Sequence, residues 1–309
     1  MKKIVFMGTP DFAVNILEGL IENYDVIAVV SQPDKKVGRK QVLTETPVKK
    51  VALENNILVL QPENIRKDYQ AIIDLKPDII VTCAYGQIIP KELLECPEYG
   101  CINVHASLLP KLRGGAPIHK AIIEGYDKTG ITIMYMDEAM DSGDIITQKE
   151  TIITDEDNLE SLHDRLSIMG RELLLETLPS IFDRTNNRVK QEPSCVTYAY
   201  NIKREEEHID FSKTKREVFN QIRGLCPFPG AYTVLDDEVF KIYKTEISSK
   251  NYEGECGKII NIYKDGIGVG CSDGEVIIKE LKPSGKRKML VKDYLNGVKK
   301  ENLIGKVFK

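Results

Sequence analysis

The chain opens on an unbroken apolar run, Ile4-Val5-Phe6-Met7, set between Lys2-Lys3 and Gly8-Thr9-Pro10. That is the pattern of a short strand buried on both faces. Asp11 to Asn23 then carries apolar residues at helical spacing, and Val26 to Ser31 returns to an apolar run. Pro47 to Asn55 reads as a second helix. Ile57 to Leu60, Asp78 to Cys83 and Gly100 to His105 read as further strands, with helical stretches between them. This alternation predicts an α/β fold, a Rossmann-like doubly wound and mostly parallel sheet. Asn158 to Phe182 is a longer amphipathic stretch that closes this part, and Asn186 to Glu207 is polar and irregular, as in a linker. Beyond it come short strand-like pieces at residues 230–234, 239–243, 258–263, 266–271 and 275–281, separated by turn residues. Such spacing predicts a small β-barrel. The expected organisation is therefore a domain over 1–189, a linker over 190–206 and a second domain over 207–309.

The chemistry gathers where one strand stops. Cys101-Ile102-Asn103-Val104-His105 runs into Ala106-Ser107-Leu108-Leu109-Pro110 and then Lys111-Leu112-Arg113-Gly114-Gly115-Ala116-Pro117. Residues i and i+2 of a strand share a face, so Asn103 and His105 project together from the strand end. Open α/β sheets place their ligands there. An amide donor beside an imidazole suits attack on a carbonyl. A dinucleotide site is a poor fit: Gly8-Thr9-Pro10-Asp11-Phe12-Ala13 offers one glycine, a proline and an acid where a pyrophosphate needs close backbone approach. No GxxxxGK[ST] loop is present either.

Asn103-x-His105-x-Ser107-Leu108-Leu109-Pro110, with Arg113-Gly114-x-Ala116-Pro117 behind it, resembles the signature of enzymes that transfer a formyl group from 10-formyltetrahydrofolate. Asp141-Ser142-Gly143-Asp144 resembles the Asp-x-Gly-Asp loop of that family. The start Gly8 to Ala13, the loop Gln32-Pro33-Asp34 to Gly38-Arg39, Thr46-Pro47-Val48-Lys49 and Ala84-Tyr85-Gly86 extend the likeness, which is strongest over 1–150. The resemblance implies a formyltransferase fold followed by a barrel of oligonucleotide-binding type, whose start Cys226-Pro227-Phe228-Pro229-Gly230-Ala231 resembles. Where family members often carry Trp, this chain has Phe228 or Tyr232. It implies Asn103, His105 and Asp141 as the catalytic set, and Ser107, Leu108, Leu109 and Pro110 as part of the folate wall, opposite the loop at Tyr85-Gly86-Gln87. It also gives Arg39 a role at the acceptor end of an initiator methionyl-tRNA. No metal, membrane or obligate protein partner is called for.

Composition narrows the choice of substrate. The seven cysteines are odd in number and form no Cys-x-x-Cys pair, which points to reduced thiols and a cytoplasmic protein rather than a zinc or disulfide framework. Cys83 and Cys101, inside apolar runs, read as small core residues. The net charge is −4, yet from Glu206 onward there are 19 Lys+Arg against 16 Asp+Glu. Lys282, Lys286, Arg287, Lys288, Lys292, Lys299 and Lys300 crowd the end. By charge alone, a solvated face and a phosphate-binding face are both open. The resemblance favours RNA. The alternatives are the same formyl chemistry on an amino-sugar nucleotide or, less readily, on a phosphoribosyl amine, and a non-catalytic RNA-binding protein. His119, His163 and His208 sit in no catalytic constellation.

Overall fold

The computed structural model describes residues 2–38 and 40–309, and Arg39 lies outside them. The chain divides into two units. The first comprises 1–117, 128–152 and 163–200, and the second comprises 118–127, 153–162 and 201–309.

Seven strands form the sheet of the first unit. They are β1 (Lys3–Gly8), β2 (Asp25–Val30), β5 (Leu58–Leu60), β6 (Ile79–Cys83), β7 (Cys101–His105), β8 (Lys128–Tyr135) and β9 (Ile145–Ile152). The intervening pair, β3 (Lys35–Val37) and β4 (Val42–Thr44), stands apart as a hairpin. The sheet order is β5-β2-β1-β6-β7-β8-β9. Strands β5 to β7 along this order run parallel, β8 is antiparallel to β7, and β9 is antiparallel to β8. The sheet is thus mostly parallel, as expected from the apolar runs. Ile4 to Met7 and Ile79 to Val81 are wholly buried, the reason those strands lack a polar face.

From β1 the chain winds outward through β2 to β5, then returns to the other side of β1 as β6. That reversal leaves a crevice at the strand C-terminal ends. Thr9 and Gln32 knit its floor: the Thr9 hydroxyl and the Gln32 amide both donate to the Tyr85 carbonyl, at 3.0 and 3.2 Å. The helix Leu159–Phe182 crosses behind the sheet, where Gly170 lets it approach Val104 and Ile16 closely. Ser167 of that helix donates to the Phe12 carbonyl at 2.8 Å. Cys83 and Cys101 are buried core residues whose thiols are pushed up by desolvation.

Two expectations from the sequence need correction. The segment after Gln32, expected as a loop, instead contains the β3–β4 hairpin, paired Lys35 to Thr44 and Val37 to Val42. Its base is tied by Lys49 and Gln61, which donate to Asp34 at 2.6 and 2.8 Å. The polar stretch after Asn186 is irregular, but through Tyr200 it belongs to the first unit rather than hanging free.

In the second unit, β10 (Ala231–Leu235), β11 (Glu238–Ile247), β12 (Ile259–Ile262), β13 (Ile267–Cys271) and β14 (Gly274–Pro283) form an antiparallel sheet in the order β10-β11-β14-β13-β12. The short β15 (Met289–Leu290) pairs with β14. The last residues close this sheet. On one side Gly305 donates to the Ile259 carbonyl and Phe308 to that of Gly257, at 2.9 and 2.8 Å. On the other side Val234 and Lys309 exchange two bonds of 2.9 Å. Closure leaves neither edge strand unpaired. Inside lie Val218, Ile222, Phe240, Ile242, Val269 and Phe308 among others.

Candidate active site

Asn103 and His105 lie at the C-terminal end of β7, between β6 and β8. Thr82 of β6 donates its hydroxyl to Asn103 Oδ1 at 2.7 Å. With its carbonyl taken, Asn103 turns its N–H2 edge outward, 3.5 Å from Asp141 Oδ1. That separation is at the long limit of a hydrogen bond, so the amide N–H2 remains available to another acceptor.

His105 is almost wholly buried, and its Nε2 stands 3.0 Å from the Leu112 carbonyl. A carbonyl only accepts, so Nε2 carries the proton, and the neutral ring keeps its lone pair on Nδ1. Nδ1 faces Asp141 Oδ2 at 3.7 Å. Asp141 is fixed in turn by the Gly114 amide, which donates to Oδ2 at 2.8 Å. The structure brings the three residues together.

The backbone around this cluster is strained. Ala84, Leu112 and Asp141, in the loops after β6, β7 and β8, take φ of 48°, 60° and 50°. For Leu this left-handed conformation is a genuine outlier. Such strain persists only where the surroundings over-determine it, and it concentrates at functional sites. Gly143 is required for a different reason: a Cβ there would stand 1.9 Å from the Tyr135 carbonyl oxygen.

Residues 1–178 match the family model described as "Formyl transferase", and residues 201–299 match "Formyl transferase, C-terminal domain". The chain belongs to the formyl transferase family. It is 51% identical to the methionyl-tRNA formyltransferase of Staphylococcus aureus strain MW2, over 99% of both chains. The fold also resembles that of an N-formyltransferase from Helicobacter canadensis solved with folinic acid and dTDP-3-aminofucose. That likeness has a TM-score of 0.70 at 23% identity, covering 94% of this chain and 100% of that one. A second neighbour, HypX from Aquifex aeolicus solved with tetrahydrofolic acid, has a TM-score of 0.62 at 16% identity, covering 94% of this chain and 46% of that one.

Within this formyl transferase, the polar groups of the Ser107-to-Pro110 turn are largely engaged by neighbouring side chains. Thr132, on β8 opposite His105, donates to the Ser107 carbonyl at 2.6 Å and accepts from the Leu109 amide at 3.1 Å. Gln148 adds bonds of 2.9 Å to the Leu109 carbonyl and to Thr132. Ser107 donates to the Lys111 carbonyl at 2.6 Å. Ser107 and Leu109 are buried, while Leu108 and Pro110 stay half-exposed. The turn therefore offers a mainly apolar wall, because its polar groups are spent on building it. On the loop after β6, burial pushes the Tyr85 hydroxyl up to about 12, and Gln87 accepts from the Ile65 amide at 2.9 Å.

Sequence reasoning passed over Gln191, Thr197 and Thr82. Gln191 Nε2 donates to the Asp141 and Gly143 carbonyls at 2.8 and 2.9 Å, and Thr197 Oγ1 accepts from the Leu112 amide at 2.9 Å. The first two sit in an aperiodic stretch with no motif to mark them, and Thr82 sits inside an apolar run. The other histidines are engaged structurally. His119 Nδ1 meets the Gly224 carbonyl at 2.8 Å, His163 packs edge-on to Phe12, and His208 Nε2 meets the Lys309 carbonyl.

Proposed function

We propose that this enzyme moves the formyl group of 10-formyltetrahydrofolate onto the free amine of initiator methionyl-tRNA. The observation that carries the reading is full-length kinship with a methionyl-tRNA formyltransferase in a chain whose Asn103, His105 and Asp141 are assembled at one strand end. The amine forms a bond to the formyl carbon, the bond from that carbon to the folate nitrogen breaks, and one proton passes from amine to folate nitrogen. Negative charge gathers on the formyl oxygen on the way. Asn103, its own carbonyl occupied by Thr82, supplies the N–H that meets this oxygen. His105 carries the proton on Nδ1, and Asp141 stabilises the charged ring and orients it.

The folate donor supplies an activated formyl carbon. The residues present suit its flat ring system: Leu108 and Pro110 give half-exposed apolar surface, with Ser107 and Leu109 buttressing them from beneath. Arg39 contacts the acceptor end of the RNA. The first unit binds folate and acceptor end, and the basic barrel of the second anchors the RNA backbone.

The test is transfer of labelled formyl from 10-formyltetrahydrofolate to methionyl-tRNA, run beside an amino-sugar nucleotide as competing acceptor. Labelling of the RNA alone is expected. Labelling of the sugar nucleotide alone would overturn the acceptor assignment and keep the chemistry. Arg39→Ala should impair use of the RNA while leaving folate binding intact, and equal loss of both would refute its role.

A further inference from the structure

We infer that the strap from Val189 to Ala199 sets the catalytic geometry, with Gln191 and Thr197 as positioning residues for Asp141 and His105. This rests on the formyl-transfer reading above and extends it to residues that touch no reacting group.

The strap runs beside the loop that follows β7 and bonds to it repeatedly. Arg113 donates to the Thr197 carbonyl at 2.9 Å, Ala199 to that of Arg113 at 2.7 Å, and Ala116 to that of Ala199 at 3.0 Å. The fit is close: a Cβ on Gly114 would meet the Ala199 carbonyl oxygen at 2.7 Å. Two side chains then reach into the catalytic loops.

Gln191 is a clamp between them. Its Oε1 accepts both Arg113 Nε and an Arg113 terminal nitrogen, at 3.0 and 2.7 Å. Its Nε2 donates to the carbonyls of Asp141 and Gly143. Every bonding edge of the amide is used, and its two ends hold the loop after β7 against the loop after β8. Asp141 is in the left-handed conformation, so its carboxylate stays where it is only while something fixes its backbone.

Thr197 acts on the other partner. Its hydroxyl accepts from the amide of Leu112, the residue whose carbonyl selects the His105 tautomer. Leu112 is also left-handed, and Thr197 and His105 engage its amide and carbonyl. Moving that carbonyl would release the Nε2 proton and turn the lone pair away from Asp141. Gln191 is half-buried and Thr197 exposed, so replacing either opens no core cavity.

The test compares Gln191→Ala, Gln191→Glu, Thr197→Val and Thr197→Ser with the parent enzyme in steady-state formyl transfer. A glutamate retains an acceptor for Arg113 but sets oxygen against the two carbonyls, so it separates the two halves of the clamp. Gln191→Ala, Gln191→Glu and Thr197→Val are expected to lower kcat on the order of 10- to 100-fold, the scale of a misplacement near 1 Å. KM for folate donor and RNA acceptor should stay near the parent values, and Thr197→Ser should recover kcat. Unchanged kcat, loss confined to KM, or a Ser variant no better than Val would overturn the inference. The His105 ring signals in NMR provide a readout that needs no substrate. They should move in Thr197→Val and return in Thr197→Ser, and unmoved signals would overturn the positioning role even if the acceptor assignment had failed. A parent enzyme that formylates no methionyl-tRNA, with His105 signals responding as expected, would overturn the functional reading alone.

Discussion

Asn103 presents its N–H2 edge because Thr82 occupies its carbonyl, so the two side chains work as one donor and should fail together. Asn103→Ala is expected to lower kcat about 100- to 1,000-fold, the usual cost of one oxyanion donor, with little change in folate affinity. Thr82→Val, nearly isosteric and wholly inside the sheet, frees the amide to rotate and should give a smaller loss of the same kind. If steady-state kinetics showed Thr82→Val at the parent rate, the amide would be oriented by something else. Thr132 is a similar case with a structural outcome. Its hydroxyl gives one bond to Ser107 and takes bonds from Leu109 and Gln148, which saturates it. Thr132→Val leaves the Ser107 carbonyl and the Leu109 amide without that partner, and a loss of about 1–3 kcal/mol is expected in denaturant unfolding. At this scale Asn103 and His105 were legible in the sequence, because strand periodicity alone puts i and i+2 on one face. Thr82, Gln191 and Thr197 were not, since their importance lies in partners 21, 50 and 85 residues away.

Elements are legible in the sequence where one period rules and obscure where tertiary contacts decide. The apolar runs of β1, β6 and β7 became buried parallel strands, and Thr46-Pro47 marked a helix start whose hydroxyl accepts from the Lys49 amide at 3.2 Å. The β3–β4 hairpin escaped notice because its residues are exposed on both faces and show no alternation. Its base carries a pH dependence. The Gln61 amide, and after it the Lys49 ammonium, hold the Asp34 carboxyl below its ordinary value. A depressed folded-state value stabilises above the unfolded pKa of about 3.9, and that contribution disappears as pH falls through the folded value. Asp34→Asn should therefore lower the melting temperature near neutral pH and converge on the parent in acid. Parallel melting curves at every pH would refute this. The turn between β8 and β9 is less forgiving: Gly143→Ala drives a Cβ into the Tyr135 carbonyl and should displace Asp141 along with it.

Across the whole molecule, a mildly acidic protein carries its positive charge toward one end, with 19 Lys+Arg against 16 Asp+Glu from Glu206 onward. The barrel there was legible from the spacing of its strands, while the segment that closes it, residues 305–309, was not. Phe308, buried against Phe211 and Phe240, anchors that closing segment. Phe308→Ala is expected to destabilise the second unit by about 3–5 kcal/mol, read from denaturant unfolding. The proposed roles, RNA anchoring for the barrel and chemistry for the strand end of the first unit, meet in one assay. Labelled formyl from 10-formyltetrahydrofolate should be followed onto initiator and elongator methionyl-tRNA, with the parent enzyme and Asn103→Ala side by side. The account predicts rapid labelling of the initiator alone by the parent, and labelling slowed about 100- to 1,000-fold by the variant. Equal labelling of both RNAs, or an Asn103→Ala enzyme as fast as the parent, would contradict it.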